Sequence, residues 1–231
     1  MSPRNLDVSD ILEWQILFGE LKPRERLVEE EIITRLNVTR HQARQALTKL
    51  EQRGLVVRVA NRGAHVRDFS EEDVRQICAV REMLHAQAAS LIPLPASPAL
   101  IAELEQHQTC HADAVAAGDL KMVHRANNAF HATLFGACGN SYLAQTIADY
   151  AAMSLAFRCH LMAIPYFAER AVKEHRQMVA ALVAGDRAEL IRLCMEHTRP
   201  AQDVYRRLRG WASGNLSAGQ ERDADKYPAV R

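Results

Sequence analysis

The stretch NVTRHQARQALTKLEQRGLVV, residues 37–57, decides the fold of the N-terminal part of the chain. Apolar residues recur in it at the i, i+3, i+4, i+7 spacing of a helix with one buried face. The members of this apolar stripe are Ala43, Ala46, Leu47 and Leu50. Thr39 and Gln42 have the spacing of a capping box, in which each side chain bonds to the other residue's backbone N–H. We therefore expect a helix that begins at Arg40, packs through its apolar stripe and exposes a basic first turn.

Two helical patterns precede this helix and an alternating pattern follows it. Apolar residues recur at helical spacing in residues 8–19 and again in residues 28–36. In residues 55–66 they alternate instead, and the turn residues Asn-Arg-Gly at 61–63 interrupt the alternation, which is typical of a β-hairpin. Three helices followed by a hairpin predict a winged helix-turn-helix.

The rest of the chain is predicted to be helical up to about residue 212. Residues 118–119 and residues 185–186 both read Gly-Asp, which combines a helix-ending glycine with an aspartate that caps the next helix. We expect six helices of roughly 15–22 residues, which is enough for an all-α bundle. The predicted fold is thus mainly α. It comprises a winged helix-turn-helix over 1–69, a helical bundle over 70–212, and a polar tail over 213–231 that we expect to be disordered.

Charge is distributed unevenly within the first predicted domain. Residues 35–67 contain eight basic residues against a single acidic one, Glu51. Such a local excess indicates a surface for a polyanion, although a solvated basic surface would have the same composition.

Membrane and secretion signals are not evident. No apolar run approaches the roughly 20 residues that a membrane-spanning helix needs, and the N-terminal segment lacks the apolar region of a secretory signal. The five cysteines are scattered and never form C-x-x-C, which favours a reducing compartment over a disulfide framework or a zinc ribbon. We expect a cytoplasmic protein that has no membrane partner.

Residues 19–66 resemble the DNA-binding domain of the GntR family of bacterial transcription regulators. The family pattern is roughly G-x-L-x-P-G-x-x-L-x-E, then L-x-V-[ST]-R-x-x-V-R-x-A-L, then a wing with G-x-x-V. The resemblance implies a set of six DNA-contacting residues. In the family, the threonine and the two arginines of this set bind phosphates and read guanines. The histidine and glutamine positions vary between members, and the glycine forms the wing tip. This set is Thr39, Arg40, His41, Gln42, Arg44 and Gly63. The chain departs from the pattern at Arg24, which replaces a turn glycine, and at Ala43, which replaces a valine.

The chain contains ten histidines, and one group has a spacing of interest. Asn127 and His131 lie one helical turn apart and share a face, while His175 and His197 belong to two later helical segments. From the residues alone, ordinary core or surface histidines explain this pattern better than a metal site does. A second i, i+4 pair lies at residues 107 and 111, and we interpret it as solvated because the helix around it is polar.

Residues 81–197 resemble the FCD effector-binding domain of the FadR subgroup. The resemblance implies that Asn127, His131, His175 and His197 converge on a divalent transition metal, Zn²⁺ or Ni²⁺, and that Arg81 faces the same effector cavity. Most members have aspartate where this chain has Asn127, so the protein ligands would leave the metal charge uncompensated. A small carboxylate effector would then be favoured in the open coordination positions.

The resemblance implies a ligand-responsive transcription regulator, by default a repressor, that binds a palindromic double-stranded operator as a homodimer. One alternative is a metal-dependent hydrolase that uses the three-histidine centre, and another is a DNA-architectural protein without a ligand. The sequence contains no H-E-x-x-H, G-x-S-x-G, P-loop or G-x-G-x-x-G motif, so we assign no catalytic residues.

Overall fold

A computed structural model describes residues 7–59, 62–155, 157–158, 164–202 and 205 of the chain. These residues form a set of α-helices and one small sheet, which confirms the predicted mainly α class.

The chain divides into two compact units. The first unit comprises residues 1–70 and 151–159, and the second comprises residues 71–150 and 160–231. Residues 213–231, which we expect to be a disordered tail, lie outside the described residues.

The first unit is built on three helices, α1 (Val8–Leu17), α2 (Glu29–Leu36) and α3 (Arg40–Gln52). Both α1 and α2 pack against α3. The predicted capping box is confirmed, because Thr39 Oγ1 accepts from the backbone N–H of Gln42 at 3.2 Å and Gln42 Oε1 accepts from that of Thr39 at 2.9 Å. The predicted apolar stripe of α3 is also confirmed as buried: Ala43, Ala46, Leu47 and Leu50.

An antiparallel sheet completes the first unit, with strands β1 (Arg26–Leu27), β2 (Val56–Val59) and β3 (Gly63–Val66) in the order β1-β3-β2. The predicted hairpin is confirmed by the pairing of β2 with β3, in which Val57 is opposite His65. The third strand was not predicted, because β1 has only two residues and so shows no alternation that could be recognised.

Helices α4 to α9 belong to the second unit, except that residues 151–153 at the end of α7 fall in the first unit. They are α4 (Glu71–Leu91), α5 (Pro98–Ala117), α6 (Leu120–Gly136), α7 (Ser141–Met153), α8 (Pro165–Ala184) and α9 (Arg187–Glu196). Helix α5 packs against α6 and α8, while α9 packs against α4 and α8. The predicted lengths are wrong for two of these helices, since α7 has 13 residues and α9 has 10. Helix α9 ends shortly before Pro200, which has no N–H to continue the helical bonding.

The two Gly-Asp junctions behave as predicted. Gly118 and Gly185 adopt the left-handed conformation, with φ of +68° and +70°, and end α5 and α8. Asp119 and Asp186 each accept a hydrogen bond from a backbone N–H in the first turn of the following helix, at 3.0 and 2.9 Å. These turns reverse the chain between antiparallel helices that pack on one another. Among the described residues, no helix is both long and apolar enough to cross a membrane.

Candidate functional site

The first turn of α3 is accessible to a large partner. All five positions assigned there from the sequence, Thr39, Arg40, His41, Gln42 and Arg44, are exposed. The side chains of the two arginines are 62% and 60% exposed. The apolar stripe on the opposite face of α3 packs into the core of the first unit, so the first turn of α3 faces solvent.

Both arginines form ion pairs with the start of α2. Arg44 Nε donates to Glu29 Oε2 at 2.8 Å, and Arg40 Nη2 donates to Glu30 Oε1 at 3.3 Å. A count of charges within residues 35–67 misses these partners, because the glutamates precede that segment in sequence.

The second half of α3 is similarly compensated by acidic residues of the N-terminal segment. Lys49 pairs with Asp7, and Arg53 pairs with Glu13. The positive potential of this surface is therefore smaller than the sequence count indicates.

The side chain of Gln42 is already engaged in the cap. Its Oε1 accepts from both the backbone N–H and the hydroxyl of Thr39. Only the amide nitrogen of Gln42 remains to donate to a partner, whereas the imidazole of His41 is exposed.

Gly63 is the first residue of β3 and has φ of +83°. This left-handed conformation favours glycine, and the Nε of Arg26 lies 3.7 Å from the place that a Cβ of residue 63 would take. Residues 60 and 61, which belong to the predicted turn, lie outside the described residues.

Three histidines of the second unit converge. His131 on α6, His175 on α8 and His197 at the end of α9 place their candidate ligand atoms within 4.8 Å of one another. The Nε2 atom of His131 lies 3.1 Å from that of His197 and 3.3 Å from that of His175. Thus the structure brings together the three histidines among the four residues for which the resemblance implies metal ligation.

This donor set fits a divalent transition metal. Nitrogen ligands at tetrahedral Zn²⁺ distances lie about 3.3 Å from one another, which is close to the observed Nε2 separations. A ligating imidazole must be neutral. Burial, and then the neighbouring charges of His197 and His111, lower the pKa of His175 well below its usual value, so this ring is neutral at pH 7.

A carboxylate holds His197 in a ligating orientation. Glu174 Oε2 accepts from His197 Nδ1 at 2.6 Å, and Glu174 Oε1 accepts from Arg170 Nε at 2.5 Å. Burial alone would raise the pKa of Glu174, but the hydrogen bond and charge of His197, together with Arg170, lower it overall. Because Nδ1 faces Glu174, Nε2 is the nitrogen of His197 that is directed at the other two rings, and it can bind a metal once it has released its proton.

We did not identify Glu174 from the sequence, although two signals point to it. It directly precedes His175, and it lies one helical turn after Arg170. Its contact with His197 spans 23 positions and is set by the packing of α8 against α9.

The remaining predicted residues of this site, Asn127 and Arg81, are both buried. Asn127 is buried on α6, and its amide nitrogen donates to Asn128 Oδ1 at 3.4 Å. Arg81 is buried on α4.

The interpretation of His111 as solvated is wrong, since only 1% of this residue is exposed. The packing of α5 against α6 and α8 covers it, and its ring centroid lies 4.9 Å from that of His175. Burial, and then the charge of His197, lower the pKa of His111 to about 4. His107 lies nearer the surface, with its Nε2 3.7 Å from Glu103.

Comparisons with known proteins agree with this architecture. Residues 5–66 match the family described as bacterial regulatory proteins, gntR family, and residues 76–199 match the FCD domain. The HTH-type transcriptional regulator LutR of Bacillus subtilis (strain 168) is 26% identical over 220 residues, which cover 86% of this chain and 98% of LutR.

Two solved structures share the fold. A protein of Rhodococcus sp. RHA1 described as a transcriptional regulator GntR superposes with a TM-score of 0.70 at 22% identity, covering 86% of this chain and 95% of that one. McbR/YncC of E. coli superposes with a TM-score of 0.71 at 19% identity, covering 90% of this chain and 100% of that one. Because the two family matches together span both units, the chain belongs to the GntR family of bacterial transcription regulators, in the FadR-type group that carries a C-terminal FCD domain.

Proposed function

We propose that this regulator represses transcription until a small organic acid binds its FCD domain, and that the acid is held through a divalent metal. The observation that carries the proposal is the convergence of three histidine Nε2 atoms in the second unit. A polar centre of this kind serves no purpose in the packing of a helical bundle, and it is the donor set that Zn²⁺ or Ni²⁺ prefers.

The DNA-binding part of the proposal rests on the exposed first turn of α3. Residues 1–69 form the reading domain, and the α3 turn enters the major groove with its N-terminal side chains towards the bases. The residues that contact DNA are Thr39, Arg40, His41, Gln42, Arg44 and Gly63. As a homodimer, the protein places two such turns on a palindromic operator.

The effector part rests on residues 70–212. His131, His175 and His197 hold the metal, with Asn127 as a neutral fourth donor. When bound, the metal supplies a Lewis acid for the effector carboxylate. Glu174 holds His197 in place, and Arg81 adds a positive charge in the same buried interior.

Effector binding changes operator affinity by shifting the population of two conformations of the protein. The effector therefore has to bind one of these conformations more tightly than the other. The protein acts in the cytoplasm, where operator DNA is found.

Family membership indicates a transcription regulator, and we infer that the protein is not an enzyme. The site geometry supports the same conclusion. A metal-dependent hydrolase needs a free general base beside its metal. Both oxygens of Glu174 are already occupied by His197 and Arg170.

The DNA-binding part is tested by selecting bound sequences from a pool of random duplexes with the full-length protein. Arg40→Ala and Arg44→Ala are each expected to weaken binding to the selected sequence about tenfold or more, because each removes a phosphate or guanine contact. Arg75→Ala is the control, since Arg75 is equally exposed but belongs to α4 of the second unit. Wild-type affinity in both α3 variants would refute the assignment of the α3 turn.

The effector part is tested by metal analysis of the purified protein and by thermal shift with Zn²⁺ or Ni²⁺, alone and with a panel of organic acids. We expect one metal per chain, lost in His131→Ala, and a further stabilisation by an acid that requires the metal. Absence of stoichiometric metal in the wild-type protein would refute the metal-dependent effector site.

A further inference from the structure

The two ion pairs between α2 and the α3 turn differ in geometry. Glu29 is the first residue of α2, its side chain is only 23% exposed, and it accepts from the Nε of Arg44 at 2.8 Å. Glu30 is 66% exposed and accepts from a terminal nitrogen of Arg40 at the longer distance of 3.3 Å. Thus Glu29 is the closer and more buried partner of Arg44, whereas Glu30 is the more distant and more exposed partner of Arg40.

The way in which Glu29 engages Arg44 leaves the outer edge of the guanidinium available. Among the described residues, Glu29 is the recorded hydrogen-bond acceptor of this guanidinium, and it uses Nε. The group is planar and its N–H bonds point in fixed directions. With Nε–H directed at Glu29, one N–H of each terminal nitrogen still lies on the outer edge of the guanidinium, and these two N–H groups can donate together to O6 and N7 of a guanine.

A long arginine side chain that is 60% exposed would otherwise sample many rotamers. Ordering the side chain before DNA arrives reduces the entropy that is lost on binding. A carboxylate at this position also has a cost, because it repels the phosphates of any DNA sequence.

We propose that Glu29 is a positioning residue for DNA recognition, which holds the Arg44 guanidinium in the orientation that reads a guanine. The inference rests on the proposed role of the α3 turn in DNA binding. It makes Glu29 a determinant of sequence specificity even though its negative charge disfavours DNA binding in general.

The opposed effects of Glu29 give the experiment its readout. In full-length Glu29→Ala, affinity for a random duplex is expected to stay equal or to rise, because a negative charge is removed. Affinity for the sequence that the wild-type protein selects is expected to fall. The ratio of the two affinities should decrease about tenfold, as expected for the loss of one well-oriented guanine contact.

Glu31→Ala is the matched control. Glu31 lies in the same first turn of α2 and is exposed, and the structure records no ion pair for it among the described residues. Like Glu29→Ala, Glu31→Ala removes one negative charge from the N-terminus of α2. Because it leaves the contact between Glu29 and Arg44 intact, the affinity ratio should stay within about twofold of the wild-type ratio. Thermal unfolding of both variants checks that each is folded.

A double-mutant cycle with Arg44→Ala separates positioning from any general structural effect. If Glu29 acts through Arg44, Glu29→Ala will not change the affinity ratio further in the Arg44→Ala background. An unchanged ratio in the Glu29→Ala single variant, or an equal decrease in both backgrounds, would overturn the inference. If Arg44→Ala itself has no effect on DNA binding, the proposed role of the α3 turn fails instead.

Discussion

The exposed turn of α3 and the histidine cluster of the second unit are held in place by different forces. At the α3 turn, Arg40 and Arg44 extend into solvent and are restrained by ion pairs that water and salt weaken. In the histidine cluster, His175 is fully buried, and a carboxylate that is itself largely buried orients His197. The arginines of the first site stay accessible to a partner from solvent, whereas the donor atoms of the second are enclosed by helix packing.

This difference follows from what each site is proposed to bind. DNA approaches as an extended polyanion, and long, accessible side chains can adjust to it. A metal ion needs several donor atoms within a few tenths of an ångström of defined distances, and packing between helices supplies that precision. Substitutions in the buried cluster are therefore expected to have larger effects than substitutions of single charges on the exposed turn.

The largest effect is expected for His175→Ala. Removing a residue that only supports a metal ligand typically weakens metal binding about 10- to 100-fold. Removing the ligand His175 itself should therefore weaken Zn²⁺ binding more than about 100-fold. Competition with a chelating dye measures this affinity. His107→Ala is the control, since His107 lies on the outer part of α5, and a similar loss in both variants would show that the three-histidine centre is not the site.

Glu174→Gln tests how much the orientation of His197 contributes. The amide can still accept a hydrogen bond but carries no charge, so metal affinity should fall about 10- to 100-fold while the fold is kept. Glu169→Gln removes an exposed charge of the same helix and should leave the affinity unchanged. Equal affinities in the two variants would mean that Glu174 does not support the centre.

The buried site should also lose stability in acid through His111. Its pKa is about 4 in the folded protein against an ordinary 6.5, so below pH 6.5 the unfolded chain binds a proton that the folded chain does not. The stability present above pH 6.5 is therefore lost as the pH falls towards 4, by roughly 2 kcal/mol at pH 5.

Urea unfolding of the metal-free protein at pH 7 and pH 5 measures this loss. His111→Phe fills the same space without titrating, and it should reduce the difference in unfolding free energy between the two pH values. A difference that is the same in the variant and the wild type would contradict the assignment of this acid sensitivity to His111.

The smallest effect is expected for Glu30→Gln on the exposed turn. Removing the exposed partner of Arg40 should raise affinity for random duplex DNA about two- to fivefold, the range of a surface ion pair. The dependence of log K on log salt should steepen by up to about one, since Arg40 is freed to contact a phosphate. A decrease in affinity would indicate that Glu30 supports the turn rather than competing with DNA.

The fold of the first unit was largely predictable because its signals are local. The capping box at Thr39 and the apolar stripe of α3 involve residues at most seven positions apart. The strand β1 escaped prediction because two residues carry no periodicity, and its pairing with β3 joins residues about 40 positions apart.

The histidine cluster was predictable only in part. The resemblance to the FCD domain selected His131, His175 and His197, but the spacing alone did not favour them over ordinary histidines. The burial of His111 and the bond from His197 to Glu174 depend on which helix faces are covered, which no local pattern specifies.

The sequence by itself determined where α3 begins, which of its faces is buried, which turn is exposed and where the two Gly-Asp junctions lie, because these depend on neighbouring residues. The tertiary structure decided which distant charges meet. The packing of α2 on α3 directs Glu29 and Glu30 to the arginines of the turn. The packing of the bundle helices brings the three imidazoles together, with Phe130 stacked on His175 and Phe135 on His131. Those contacts set both the distances between donor atoms and the dielectric around them, and these quantities control metal affinity and pKa.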